Sequence, residues 1–66
     1  MIGKMVQRLR EAQGWSQQKL AELAGVGQSH ISDIEGNRKM PSVKVLQKLA
    51  DVFGVPVGQF FDEGGN

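Results

Sequence analysis

The sequence predicts an all-α domain built from five short helices. Three observations carry that prediction. Apolar residues recur every three or four positions along almost the whole chain, which lays one stripe on a helix of 3.6 residues per turn. Gly14, Gly25, Gly36 and Gly54 fall where those stripes break. No useful stretch alternates apolar and polar residues with a period of two, so no strand is expected.

The first helix carries Ile2, Val6 and Leu9 at i, i+4 and i+7. Gly14 ends it as a left-handed cap, which glycine adopts without a Cβ clash. Trp15 follows, and Ser16 is a good N-cap for the second helix. That helix holds Leu20, Ala21, Leu23 and Ala24, and Gly25 closes it. Val26-Gly27 makes a short turn. The third helix runs from Gln28 to about Glu35, with Ile31 and Ile34 at i, i+3, and Gly36-Asn37 ends it. Residues 38–41 form a loop. Ser42 caps the fourth helix, whose wide apolar face is Val45, Leu46, Leu49, Ala50 and Phe53. Gly54 ends it. Pro56 suits the first turn of a short fifth helix with Val57, Phe60 and Phe61. Residues 62–66 read as a flexible, Gly-rich tail. There is no internal repeat or linker, so residues 1–66 read as one domain.

Composition narrows the function. A chain of 66 residues buries only about 60% of the surface its unfolded form exposes, so its stability is marginal. It has no cysteine and one histidine, His30. A disulfide scaffold, a zinc finger, an iron–sulfur site and a thiol nucleophile are therefore excluded. Eight Lys/Arg against seven Asp/Glu leave a net charge of +1. The total does not announce a nucleic-acid binder, so position must carry that argument. Residues 1–40 hold six basic and four acidic side chains, and residues 41–66 hold two and three. No apolar run approaches the ~20 residues of a membrane span, and no signal-peptide core follows Met1. A cytoplasmic location without a membrane partner is expected.

The informative stretch is residues 17–35, two short helices joined by Gly25-Val26-Gly27. Tight packing at a steep angle needs a small side chain at the crossing, and Ala21 supplies it. The turn needs a positive φ, and Gly25 supplies that. The inner faces must be apolar, and Leu20, Ala24, Val26, Ile31 and Ile34 fit. With its neighbours (Gly14-Trp15-Ser16-Gln17, Ile34-Glu35-Gly36-Asn37, Pro41-Ser42 and Phe53-Gly54-Val55-Pro56-Val57), this pattern resembles the Cro/C1-type (XRE) helix-turn-helix family from residue 2 to about 61. The resemblance implies a compact lambda-repressor-like bundle with its helix-turn-helix at about residues 16–36. It implies a small transcriptional regulator that binds a palindromic operator in double-stranded DNA as a homodimer.

One feature supports DNA binding independently. The expected N-termini Ser16–Lys19, Gly27–His30 and Ser42–Val45 contain no Asp or Glu, although acids are favoured at the positive pole of a helix. Free N–H groups with neutral or basic side chains suit an anion such as phosphate. In a helix-turn-helix the third helix lies in the major groove. Its outward residues are Gln28, Ser29, Ser32 and Asp33, the candidate base readers. Gln28 can pair bidentately with adenine, and Asp33 can accept from cytosine N4. A carboxylate beside phosphates needs a donor to offset it. Gln17, Asn37, Arg38 and Lys39 are the candidate phosphate contacts. The family usually shows Ser or Thr where Gly27 stands, so a hydroxyl donor is missing here. The resemblance also implies an ion pair between Arg10 and Glu35 that locks the first helix to the third.

Trp15 reads as a core anchor and His30 as a surface residue. Ser29, His30 and Asp33 do not make a triad, because helix neighbours i and i+1 diverge. No Gly-rich phosphate loop with Lys-Ser/Thr exists. No enzyme activity, metal, cofactor, small-molecule ligand or sensor domain is expected. Phe60 and Phe61 point about 100° apart on a helix, so one enters the core and the other stays outside. The resemblance places a dimer interface at Val55, Pro56, Val57 and Phe61. An alternative is a protein-interaction module on the same scaffold, using the patch around Val57 and Phe61 with little DNA binding.

Overall fold

The computed structural model describes residues 2–61. Met1 and the expected tail at 62–66 lie outside the described residues. Four α-helices appear: α1 (Ile2–Ala12), α2 (Gln17–Ala24), α3 (Gln28–Glu35) and α4 (Val43–Phe53). A five-residue 3₁₀ turn, Val57–Phe61, stands where a fifth α-helix was expected. The physical reason is local. Pro56 donates no N–H, and its carbonyl accepts from the Gln59 N–H at 2.9 Å, an i to i+3 bond of the tighter winding. Five residues are too few for an α ladder to outweigh that start. The described residues contain no strand.

Short polar and glycine signals set the helix ends. Ser16 Oγ accepts from the Lys19 N–H at 3.0 Å, and Ser42 Oγ accepts from the Val45 N–H at 3.1 Å. Each serine satisfies one of the orphan donors of its helix. Gly25 closes α2 in the left-handed region at φ +72°. Its N–H donates to Glu22, and the next N–H, of Val26, donates to Ala21. Gly54 closes α4 in the same way. At the end of α3 the left-handed residue is Asn37 (φ +59°), and Gly36 keeps a negative φ.

All four helices and the 3₁₀ turn contribute to one core. Val6 comes from α1, Leu20, Ala21 and Ala24 from α2, Ile31 and Ile34 from α3, and Leu46, Leu49 and Ala50 from α4. Phe60 is fully buried and Phe61 is 58% exposed, which settles which of the two phenylalanines enters the core. Trp15 stacks on Phe53 with ring centroids 5.8 Å apart, and Phe53 tilts against Phe60 at 6.4 Å. Gly3 is buried inside α1. A Cβ there would run into the Ile34 carbonyl oxygen and lie 2.9 Å from that of Glu35. Glycine thus lets α1 approach the end of α3 to backbone contact. With α2 on its other side, α3 is clamped between two neighbours.

Candidate nucleic-acid interface

Ile31 and Ile34 turn one side of α3 into the core and leave the other side open. Gln28 and Ser29 at its start are exposed, while His30, Ser32 and Asp33 are half-buried. Gly27 is the N-cap and makes no side-chain capping bond. The first N–H groups of α3 therefore keep the free donors that every helix start carries. None of the four α-helices has an acid in its first turn. No acid of its own first turn offsets the positive pole of any of these helices, a setting that suits an anion.

Arg10 and Glu35 meet in a bidentate pair. Arg10 Nε donates to Glu35 Oε2 at 2.7 Å, and Nη2 donates to Oε1 at 3.1 Å. The Arg10 Nη1 donates to the Trp15 carbonyl at 2.7 Å. The side chains are 12% and 6% exposed, so this pair is largely withdrawn from water. Hydrogen bonding to Glu35 raises the Arg10 pKa above the ordinary arginine range, against the opposing effect of burial; the charges of Glu35 and Glu11 raise it further. Gln17 joins the same network, with Nε2 donating to Glu35 Oε1 at 3.0 Å. One carboxylate thus ties α1, the start of α2 and the end of α3 together. Gln17 is the first residue of α2 and has a second Nε2 hydrogen beyond this bond.

The loop after α3 folds back onto that helix. The Asn37 N–H donates to the Ile34 carbonyl at 3.0 Å, and the Arg38 N–H donates to the Asp33 carbonyl at 2.8 Å. The Arg38 Nε donates to Asp33 Oδ1 at 3.0 Å, while Lys39 Nζ stands 3.9 Å from Asp33 Oδ2. Asn37, Arg38 and Lys39 are all exposed. The structure therefore brings two candidate phosphate contacts, Arg38 and Lys39, onto one candidate base reader, Asp33. Their individual side chains stand out in the sequence. Their partnership does not, because it depends on the left-handed turn at Asn37.

The expected dimer patch is partly used elsewhere. Val55 and Val57 pack against the core, while Pro56 and Phe61 are exposed. Sequence reasoning missed Met40, which is 75% exposed. Met40, Pro41, Ile2, Ile34 and Phe61 line an open groove of about 430 Å³. Proximity of Met40 to Phe61 across 21 positions leaves no periodic signal. Among the described residues no three His, Asp or Glu side chains cluster as metal ligands, and no helix is long and apolar enough to cross a membrane.

Comparison with known proteins gives consistent matches. A helix-turn-helix family model matches residues 6–60. The transcriptional regulator PuuR of Escherichia coli is 43% identical over 61 residues, covering 92% of this chain and 33% of PuuR. The transcriptional regulator SinR of Bacillus subtilis is 41% identical over 64 residues, covering 96% of this chain and 58% of SinR. The chain thus spans about a third to somewhat over half the length of these relatives. A crystal structure of SinR in complex with DNA superposes with a TM-score of 0.89 at 40% identity, covering 94% of this chain and all of that one. The restriction-modification controller protein C.AhdI of Aeromonas hydrophila superposes with a TM-score of 0.87 at 30% identity, with 91% of each chain covered.

Proposed function

The chain belongs to the Cro/C1-type (XRE) helix-turn-helix family, and from that premise we propose that it binds double-stranded DNA sequence-specifically as a small transcriptional regulator. The observation that carries this reading is the start of α3. The helix is exposed and acid-free at its N-terminus, where it bears Gln28 and Ser29, while core packing and the Arg10–Glu35–Gln17 network at its other end hold it against α1 and α2. A rigid helix with its polar end outward is what the major groove admits. The match to SinR, whose structure contains DNA, supports the same reading.

In this proposal Gln28 and Ser29 face base edges, with Ser32 and Asp33 farther along the same side. Gln17, Asn37, Arg38 and Lys39 face the phosphate backbone on either flank. The protein acts as a homodimer on a palindromic operator, with two α3 helices about 34 Å apart, one turn of B-DNA. Exposed Phe61 and Pro56 support that interface. Bound at a promoter, it would occlude or aid polymerase, and the compartment is the cytoplasm, where the operator lies. Because the chain covers only part of PuuR and SinR, this activity is assigned to the domain described here.

The test is a salt titration of binding to duplexes selected from a random-sequence pool. Log K is expected to fall linearly with log salt at about −0.9 per phosphate contact. The exposed groove beside Met40 and Phe61 favours one other reading, a protein-interaction module. Failure to bind any duplex in dilute salt, or a flat salt response, supports that reading and overturns the proposal.

A further inference from the structure

Asp33 turns its acceptors toward the loop that follows its own helix. Its main-chain carbonyl accepts from the Arg38 N–H at 2.8 Å and the Lys39 N–H at 3.3 Å. Its carboxylate accepts from Arg38 Nε at 3.0 Å and lies 3.9 Å from Lys39 Nζ. The guanidinium is held at a second point: Arg38 Nη2 donates to the Ser32 carbonyl at 3.2 Å and to Ser32 Oγ at 3.1 Å. Two local features permit this return. Asn37 is left-handed and reverses the chain. Gly36 has no Cβ, and one there would stand 2.6 Å from Arg38 Nη1, so the guanidinium lies over the helix end where a side chain would sit.

The arrangement also fits the field of the helix. Asp33 is two residues from the end of α3, where the dipole is negative and a carboxylate is disfavoured. A cation laid across that end offsets both the carboxylate and the negative pole of the helix. Arg38 supplies it. The pair remains accessible, with Arg38 60% and Asp33 28% exposed. A solvent-facing pair of this kind is weak, so a phosphate can compete for the arginine.

We infer that Asp33 is a positioning residue that holds Arg38 against the end of α3 and limits how much of its charge reaches the DNA backbone, so that Asp33 sets the ionic part of affinity instead of reading a base. The inference rests on the proposal that α3 faces DNA. It reassigns Asp33 from cytosine recognition to control of a neighbouring phosphate contact.

The experiment uses four proteins: the wild type, Asp33→Asn, Arg38→Gln and the double variant. Each is titrated across salt against random-sequence duplex DNA and against a duplex selected from that pool by the wild type. Asp33→Asn is expected to tighten binding to both probes by the same factor and to steepen the log K against log salt slope by a part of the ~0.9 that one complete phosphate contact gives. In the Arg38→Gln background the same substitution is expected to steepen the slope far less, by only what the more distant Lys39 adds, a non-additivity that marks action mainly through Arg38. An equal change of slope in both backgrounds makes Asp33 a plain surface charge and overturns the inference. So does altered preference at one base pair of the selected duplex with pool binding untouched. If the wild type binds neither probe in dilute salt, the DNA proposal itself fails. A DNA-free readout separates the two failures: the Arg38 Nε–H resonance should exchange more slowly in the free wild type than in Asp33→Asn, and equal exchange refutes the holding role.

Discussion

One guanidinium, that of Arg10, joins Glu35 on α3 to the Trp15 carbonyl between α1 and α2. Removing it leaves Glu35, 6% exposed, with a single donor from Gln17. Breaking a buried pair on one side costs about 3 kcal/mol or more. At roughly 0.05–0.15 kcal/mol per residue the whole domain holds only ~3–10 kcal/mol, so losing this part-buried pair removes a large share of it. Arg10→Ala should therefore lower the urea midpoint sharply with little change in m, followed by fluorescence of Trp15. Lysine should rescue part of the loss, because it keeps the charge and lacks the fork. The pH response follows from the raised Arg10 pKa. A cation with a folded-state pKa above its unfolded value contributes fully below the unfolded value and loses that contribution only as pH rises through the folded one. Both values lie above ordinary buffers, so the wild-type advantage over Arg10→Ala should be flat from about pH 7 to 10. At the same scale, Gln28→Ala should weaken the selected duplex by about 1–3 kcal/mol and relax one base position, read by competition with single-substitution duplexes.

At the scale of elements, the close approach of α1 to α3 rests on Gly3. An alanine in a helix interior ordinarily gains up to about 1 kcal/mol over glycine. At this position the added methyl meets the Ile34 carbonyl, which is main chain and cannot swing away. The clash outweighs propensity, and Gly3→Ala should lose about 1–3 kcal/mol in a denaturant titration. The start of α3 presents the opposite case. A Cβ at Gly27 meets nothing within 4 Å, and its φ of −74° suits any residue. Gly27→Ser should add the missing cap and stabilise by a few tenths of a kcal/mol. The two glycines show what a sequence discloses. Helix ends were legible at Ser16, Gly25, Ser42 and Gly54, because capping is settled within four or five residues. The core face of α3 was legible for a similar reason, since Ile31 and Ile34 obey the helical period. Gly3 was silent, because its role is a backbone contact with residues more than thirty positions away. The hold of Asp33 on Arg38 was silent because it depends on the φ of Asn37. The winding of Val57–Phe61 was missed because a five-residue segment is too short for its apolar spacing to separate an i to i+3 from an i to i+4 ladder.

At the scale of the whole molecule, the adjacent phenylalanines separate folding from assembly. Phe60 is fully buried and joins the Phe53 and Trp15 rings to the core, so Phe60→Ala should cost about 3–5 kcal/mol and leave little folded protein. Phe61 holds an exposed ring at the mouth of the groove lined by Ile2, Met40 and Pro41. Phe61 is 58% exposed and lies outside the buried core, so Phe61→Asp should melt like the wild type at dilution, where both are monomers. If two copies meet through this face, the substituted carboxylates enter an apolar contact and oppose association. Sedimentation should then show a concentration-dependent dimer for the wild type and a monomer for Phe61→Asp. The domain extends 30 × 23 × 19 Å, so two copies beside a two-fold axis can set their α3 helices about one DNA turn apart. The consequence for DNA is specific. Losing the dimer should weaken a full palindrome far more than a half-site, because each half-site keeps its own α3 and only the effective concentration of the second copy is lost. Equal weakening on both probes would place Phe61 at the DNA surface, and an unchanged dimer would move the two-fold contact to another face.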